Sequence, residues 1–164
     1  MHPPARKASA PRTLGASGPP PAAFSLALRV YYQDTDSGGV VFHGNYLNFF
    51  ERARTEWLRH LGFDVRDLGE RDGVLFIVRE LRMNYLRPAQ VDDLLTVTAE
   101  IAHLGRVQFT LAQHVWRGED MLVQGTVNLA CVTADGLKPA RVPQRVHAAL
   151  EASLSRTVTQ EEEA

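Results

Sequence analysis

Cysteine is nearly absent from this chain: Cys131 stands alone among 164 residues, which excludes an intramolecular disulfide framework and a thiolate metal cluster. Lysine is almost as scarce, with only Lys7 and Lys138. Excess charge of either sign is missing too. A net charge of -1 leaves no overall positive field to hold nucleic acid or an anionic membrane surface. Every apolar stretch is broken by charge or glycine well short of a membrane span, and the N-terminus lacks the continuous apolar segment of a secretory signal. These absences predict an unexported, cytoplasmic protein with no membrane span and no nucleic-acid partner.

What is present suffices for one core. With 45% hydrophobic side chains, 164 residues make one well-buried domain and are too few for two. Residues 1–23 are dominated by Pro, Ala, Ser and Gly and bury too little to offset their ordering entropy, which predicts a disordered leader without a catalytic role. Arg145 to about Ser155 reads as a short helix, and residues 156–164, with Glu161, Glu162 and Glu163, as a solvated acidic tail. The folded domain is expected over residues 24–155.

One helical signal dominates. Tyr46, Phe49, Phe50, Ala53, Trp57 and Leu61 recur at three- and four-residue steps, with Gly44-Asn45 as the start and Gly62 as the stop. An apolar face this broad is expected to lie against a sheet. The sheet is legible as period-2 alternation: Leu26 to Tyr32 before the helix, then Leu81 to Tyr85, Leu95 to Ile101, Val107 to Leu111 and Val123 to Cys131. The later connectors, such as Leu104-Gly105 and Arg117-Gly118-Glu119-Asp120, are too short for parallel crossovers, so these strands must be antiparallel. One helix facing a curled antiparallel sheet, an α+β arrangement, is the economical solution.

The segment from Val30 to Tyr46 carries the chemistry. A strand runs into a glycine turn bearing Asp34 and Asp36, and His43 stands just before the long helix. A helix start offers unpaired N–H groups and about half a positive charge, a site for a carbonyl oxygen that becomes negative. A nearby carboxylate, ionised at neutral pH because an ordinary aspartate titrates near ~3.9, can attack the carbonyl or deprotonate a water. The bland readings stand beside this one. Asp36 also fits a turn aspartate binding local N–H groups, Asp34 fits a residue that holds the turn, His43 a core histidine, and Tyr46 a helix-packing residue. Glu51, Arg52 and Arg54 read as a charged helix face used for folding or oligomer contacts, and Cys131 as a core residue.

The run D-T-D-x-x-G-x-V-x-H-x-x-Y from Asp34 to Tyr46, followed by F-x-E-R-A-R-T-E from Phe49 to Glu56, resembles the acyl-CoA thioesterases associated with the bacterial Tol-Pal gene cluster. These are a branch of the 4-hydroxybenzoyl-CoA thioesterase group. The similarity extends from about Leu28 to Pro143. It implies the hotdog fold, with a curved five-stranded antiparallel sheet wrapped around one long central helix. It also implies hydrolysis of an acyl-CoA, with Asp36 catalytic as nucleophile or general base and His43 lining the thioester pocket. Gly44 and Tyr46 at the helix start, and Arg106 toward the CoA phosphates, are the implied substrate-binding residues. No cofactor or metal is implied. A homodimer assembling to a homotetramer is, and an acyl carrier protein or lipid-synthesis enzymes of the cell envelope are further candidate partners.

Four rival readings share parts of this pattern. The D-x-D after an apolar strand is shared with haloacid-dehalogenase-type phosphatases, but that chemistry needs a parallel sheet and a downstream lysine. A metal site from Asp34, Asp36 and His43 lacks a familiar ligand spacing. A hydratase with Asp36 and His43 as an acid-base pair, or a non-catalytic hotdog scaffold that binds acyl-CoA or acyl carrier protein, keeps the fold and changes the activity.

Overall fold

Phe109, Leu111, Gln113 and Val115 all point to one side of the same strand and are fully buried, while Gln108, Thr110 and Ala112 between them are only partly covered. That period of two builds the whole sheet. The computed structural model describes residues 18–21 and 23–162. Its elements are β1 (Phe24–Arg29), a 3-10 turn at Tyr32–Asp34, α1 (Asn45–His60), α2 (Val65–Arg71), β2 (Val74–Tyr85), β3 (Leu94–Leu104), β4 (Gln108–Arg117), β5 (Asp120–Thr133) and α3 (Gln144–Glu162). The five strands form one antiparallel sheet in the order β1-β3-β4-β5-β2. This is the expected α+β arrangement, a curled sheet around a central helix.

The helix is where the apolar spacing put it. Tyr46, Phe49, Phe50, Ala53, Trp57 and Leu58 are its buried residues, and it packs over β1 and β3. Gly125 of β5 lets it approach closely: a Cβ there would fall 2.4 Å from Cε2 of Phe50. Gly62 ends the helical segment at φ +94°, a conformation that costs glycine little.

Several boundaries differ from the sequence expectation. β1 ends at Arg29 rather than running to Tyr32, because the chain tightens into the 3-10 turn. β2 begins at Val74, seven residues before the expected Leu81. α2 was not expected: it has one buried residue, Leu68, so it shows no periodicity, although Asp64 caps it by accepting from the N–H groups of Arg66 and Asp67. α3 continues past Ser155 to Glu162. Most of the expected leader, residues 1–17 and 22, lies outside the described residues, as do Glu163 and Ala164. No helix among the described residues is long and apolar enough to cross a membrane.

Candidate active site

The two aspartates have opposite fates because the strand does not persist between them. Asp34 turns inward, is 7% exposed, and its Oδ2 accepts the Tyr31 N–H at 2.8 Å. Its carbonyl accepts the Phe42 N–H at 2.9 Å and the Asn45 Nδ2 at 2.8 Å. Asp34 thus ties the turn to the first residue of α1, the structural role its position implied. Asp36 faces outward. Its Oδ1 accepts the Gly38 N–H at 2.8 Å, and its backbone N–H bonds the Val40 carbonyl at 2.9 Å, closing the turn. Two residues span at most ~7 Å, so Asp36 stays close to the lacing that Asp34 and Asn45 make at the helix start.

The segment after the turn is clamped on both sides. Val41 donates to the Ala89 carbonyl at 2.9 Å, and Val40 bridges Gln90. This sets His43 at the mouth of α1, exposed, its ring 4.3 Å from that of Phe42. The core-histidine reading fails there. Tyr46 is a packing residue of the helix: it is 3% exposed, packs edge-on against Phe49, and accepts the Ala89 N–H on its hydroxyl at 3.3 Å. Burial pushes its hydroxyl above the ordinary tyrosine range, against the Ala89 hydrogen bond. Val41, His43, Tyr46, Tyr85, Leu86, Arg87 and Pro88 line an open groove of about 280 Å³.

At the helix start, the Asn45 N–H is spent on Phe42 and the Leu47 N–H on Gly44. No side chain caps Gly44. A helix start without a side-chain cap retains donor capacity for an incoming oxygen.

Tyr85 is a contributor that sequence reasoning missed. The Tyr85 hydroxyl donates to the His43 carbonyl at 3.0 Å and so fixes the backbone that presents the histidine. In the sequence Tyr85 is one more member of a strand alternation, and nothing local marks it out. Cys131 is buried, and burial pushes its thiol up to about 11, which leaves it no nucleophilic role at neutral pH.

Arg106 is not brought to this groove within the subunit. It is exposed in the β3–β4 hairpin, whereas the groove sits beside the β2–β3 loop at the other end of β3. The ten steps from Leu94 to Leu104 span ~33 Å.

Comparisons with known proteins agree with this fold. The family profile described as Thioesterase superfamily matches residues 38–124, which contain Gly38, Gly39, His43 and all of α1. The chain is 44% identical over 126 residues to the acyl-CoA thioesterase YbgC of Haemophilus influenzae, covering 77% of this chain and 93% of that one. It is 39% identical over 125 residues to the acyl-CoA thioester hydrolase YbgC of Escherichia coli O157:H7, covering 75% and 92%. A probable thioesterase from Bartonella henselae superposes with a TM-score of 0.72 at 41% identity, covering 74% of this chain and 99% of that structure. Fold, motif and extent of similarity together establish that the chain belongs to the thioesterase superfamily, with the hotdog architecture its motif implied.

Proposed function

We propose that this protein hydrolyses acyl-CoA thioesters, with Asp36 as nucleophile or general base and the start of α1 polarising the carbonyl. The observation that carries this reading is the outward Asp36 carboxylate in a turn laced to the helix start. The thioester carbonyl lies against the N–H groups around Gly44 and Tyr46, where losing a comparable oxyanion donor costs ~10²- to 10³-fold in rate. Asp36 attacks the carbonyl carbon directly, through a transient mixed anhydride, or takes a proton from the attacking water. His43 borders the same groove and orients substrate or water. The 39–44% identity to curated acyl-CoA thioesterases over most of the chain supports this substrate class. CoA esters of the cytoplasm are the expected pool.

The distance to Arg106 favours a site shared between subunits. β2 is an edge strand of 12 residues, with Ile77, Val78 and Tyr85 exposed. Such an edge invites pairing with a second copy. A two-fold axis through β2 reverses the strand direction. It brings the partner's β3–β4 hairpin to the same end as this subunit's groove, about three strand spacings or ~14 Å away. Arg106 of one protomer then meets the CoA phosphates bound by the other, a task suited to the paired donors of a guanidinium.

The test is a panel of acyl-CoA esters assayed for thiol release with the native protein and with Asp36→Asn. The expected outcome is turnover that the variant nearly abolishes, with its folding and ligand binding kept. Near-normal turnover in Asp36→Asn rejects the assigned role. Tight binding of CoA esters by the native protein without thiol release would instead indicate the scaffold reading.

A further inference from the structure

The gap between α1 and the edge strand β2 holds a separate opening at each of its ends. One end is the groove bordered by His43, Tyr46 and Tyr85. At the other end a second pocket of about 150 Å³ is walled by Trp57, Leu58, Leu68, Val74, Phe76 and Phe109, with Arg54 as the one cationic side chain among its lining residues. Leu47 on the helix and Val78 on the strand are exposed apolar side chains, and Val78 also lines the second pocket.

Arg54 is held in place by Gln113, which is fully buried. Nη1 of Arg54 donates to Oε1 of Gln113 at 3.1 Å, and Nε2 of Gln113 donates to the Phe50 carbonyl at 3.0 Å. One neutral acceptor serves a fork of five donors. Among the described residues Arg54 enters none of the ion pairs within 4.0 Å. Glu51 acts on it through space, but that carboxylate is exposed at the rim and accepts the Thr55 hydroxyl at 3.0 Å. Burial lowers the Arg54 pKa, the sign of a cation kept partly from water. A guanidinium in that position favours an anion able to accept two hydrogen bonds.

We propose that Arg54 binds a carboxylate at the far end of the acyl group, so that the favoured substrates are CoA thioesters of medium-length dicarboxylic acids. The proposal rests on the thioester reading above and names its substrate class. Arg54 lies eight residues beyond Tyr46, ~12 Å along the helix, which sets the spacing between the reacting carbonyl and the second carboxylate. The sequence places Arg54 on a charged helix face, whereas the structure turns it into an apolar wall.

The experiment compares adipyl-, suberyl- and sebacyl-CoA with hexanoyl-, octanoyl- and decanoyl-CoA as substrates. In parallel, calorimetry compares ω-carboxyalkyl-CoA and alkyl-CoA thioethers, which cannot turn over. The native protein should favour the carboxylate of best-matched length by about 10- to 100-fold in kcat/KM and in affinity, the range of a charge-assisted hydrogen bond. Arg54→Met should erase the preference in both, and Arg54→Lys should restore part of it. Equal or weaker handling of the carboxylated ligands by the native protein overturns the proposal, whether or not the variants fold. Thioether binding without hydrolysis of any CoA ester would sink the thioesterase reading separately, and the affinity ratio would still decide the role of Arg54.

Discussion

Gly125→Ala tests how the central helix is seated. The added Cβ would lie 2.4 Å from Cε2 and 2.9 Å from Cζ of Phe50, and 3.1 Å from the Arg82 carbonyl oxygen. Phe50 is fully buried, and its own carbonyl holds the Gln113 amide at 3.0 Å, so ring and backbone are both constrained. Overpacking a close-packed core costs about 1–3 kcal/mol, and the depth of this clash puts the loss in the upper half of that range. For a chain of this size each kcal/mol moves Tm by about 2–4 °C, so a drop of about 5–10 °C is expected by circular dichroism. Phe50→Leu makes room for the methyl group, so the double variant should be less destabilised than the sum of the singles by about 1 kcal/mol or more. Additive losses, or an unchanged Tm in Gly125→Ala, would refute the claim that α1 is pressed onto β5 at this point.

Asp34→Asn keeps an acceptor for the Tyr31 N–H and should hold both stability and turnover near native values, whereas Asp34→Ala should lose about 1.5–3 kcal/mol in urea melts. Similar kinetic losses in Asp34→Asn and Asp36→Asn would contradict the division of roles drawn from their geometry. Tyr46→Phe strands the buried Ala89 N–H and should cost about 1–3 kcal/mol, read by thermal melting. Arg106→Ala should raise KM for CoA esters and spare small synthetic thioesters; equal loss on both would count against a phosphate contact. Stability should also fall with acidification. Burial lowers the His114 pKa, so below its ordinary value of 6.5 the unfolded chain takes up a proton that the native protein resists. Its contribution is complete above that value and lost as pH falls toward the native pKa. Burial raises Asp93, but the Gln90 N–H and Arg117 prevail and hold it below the ordinary carboxylate value of 3.8, so its contribution is lost only at lower pH. Urea midpoints across pH 5 to 8 (about 1.5 units to either side of the ordinary imidazole value) should decline toward acid, and His114→Phe should flatten that decline.

Local pattern alone determined a large part of this protein. The helical step of three and four from Tyr46 to Trp57 and the alternation along β3, β4 and β5 are one-dimensional records of which side chains face the core, so α1 and the antiparallel sheet were legible. The glycine turn and D-T-D run were legible for the same reason, being contiguous. Elements whose burial leaves no periodic trace were not: α2 buries only Leu68, and the first half of β2 is a continuous apolar run on an exposed edge. Tertiary structure alone decided the rest, because it joins residues distant in sequence. It turned Asp34 inward and Asp36 outward, set the Tyr85 hydroxyl on the His43 carbonyl 42 residues away, and fixed Arg54 on Gln113 across 59 residues. It also put Arg106 at the far end of the sheet from the groove, since antiparallel pairing sends successive loops to opposite ends.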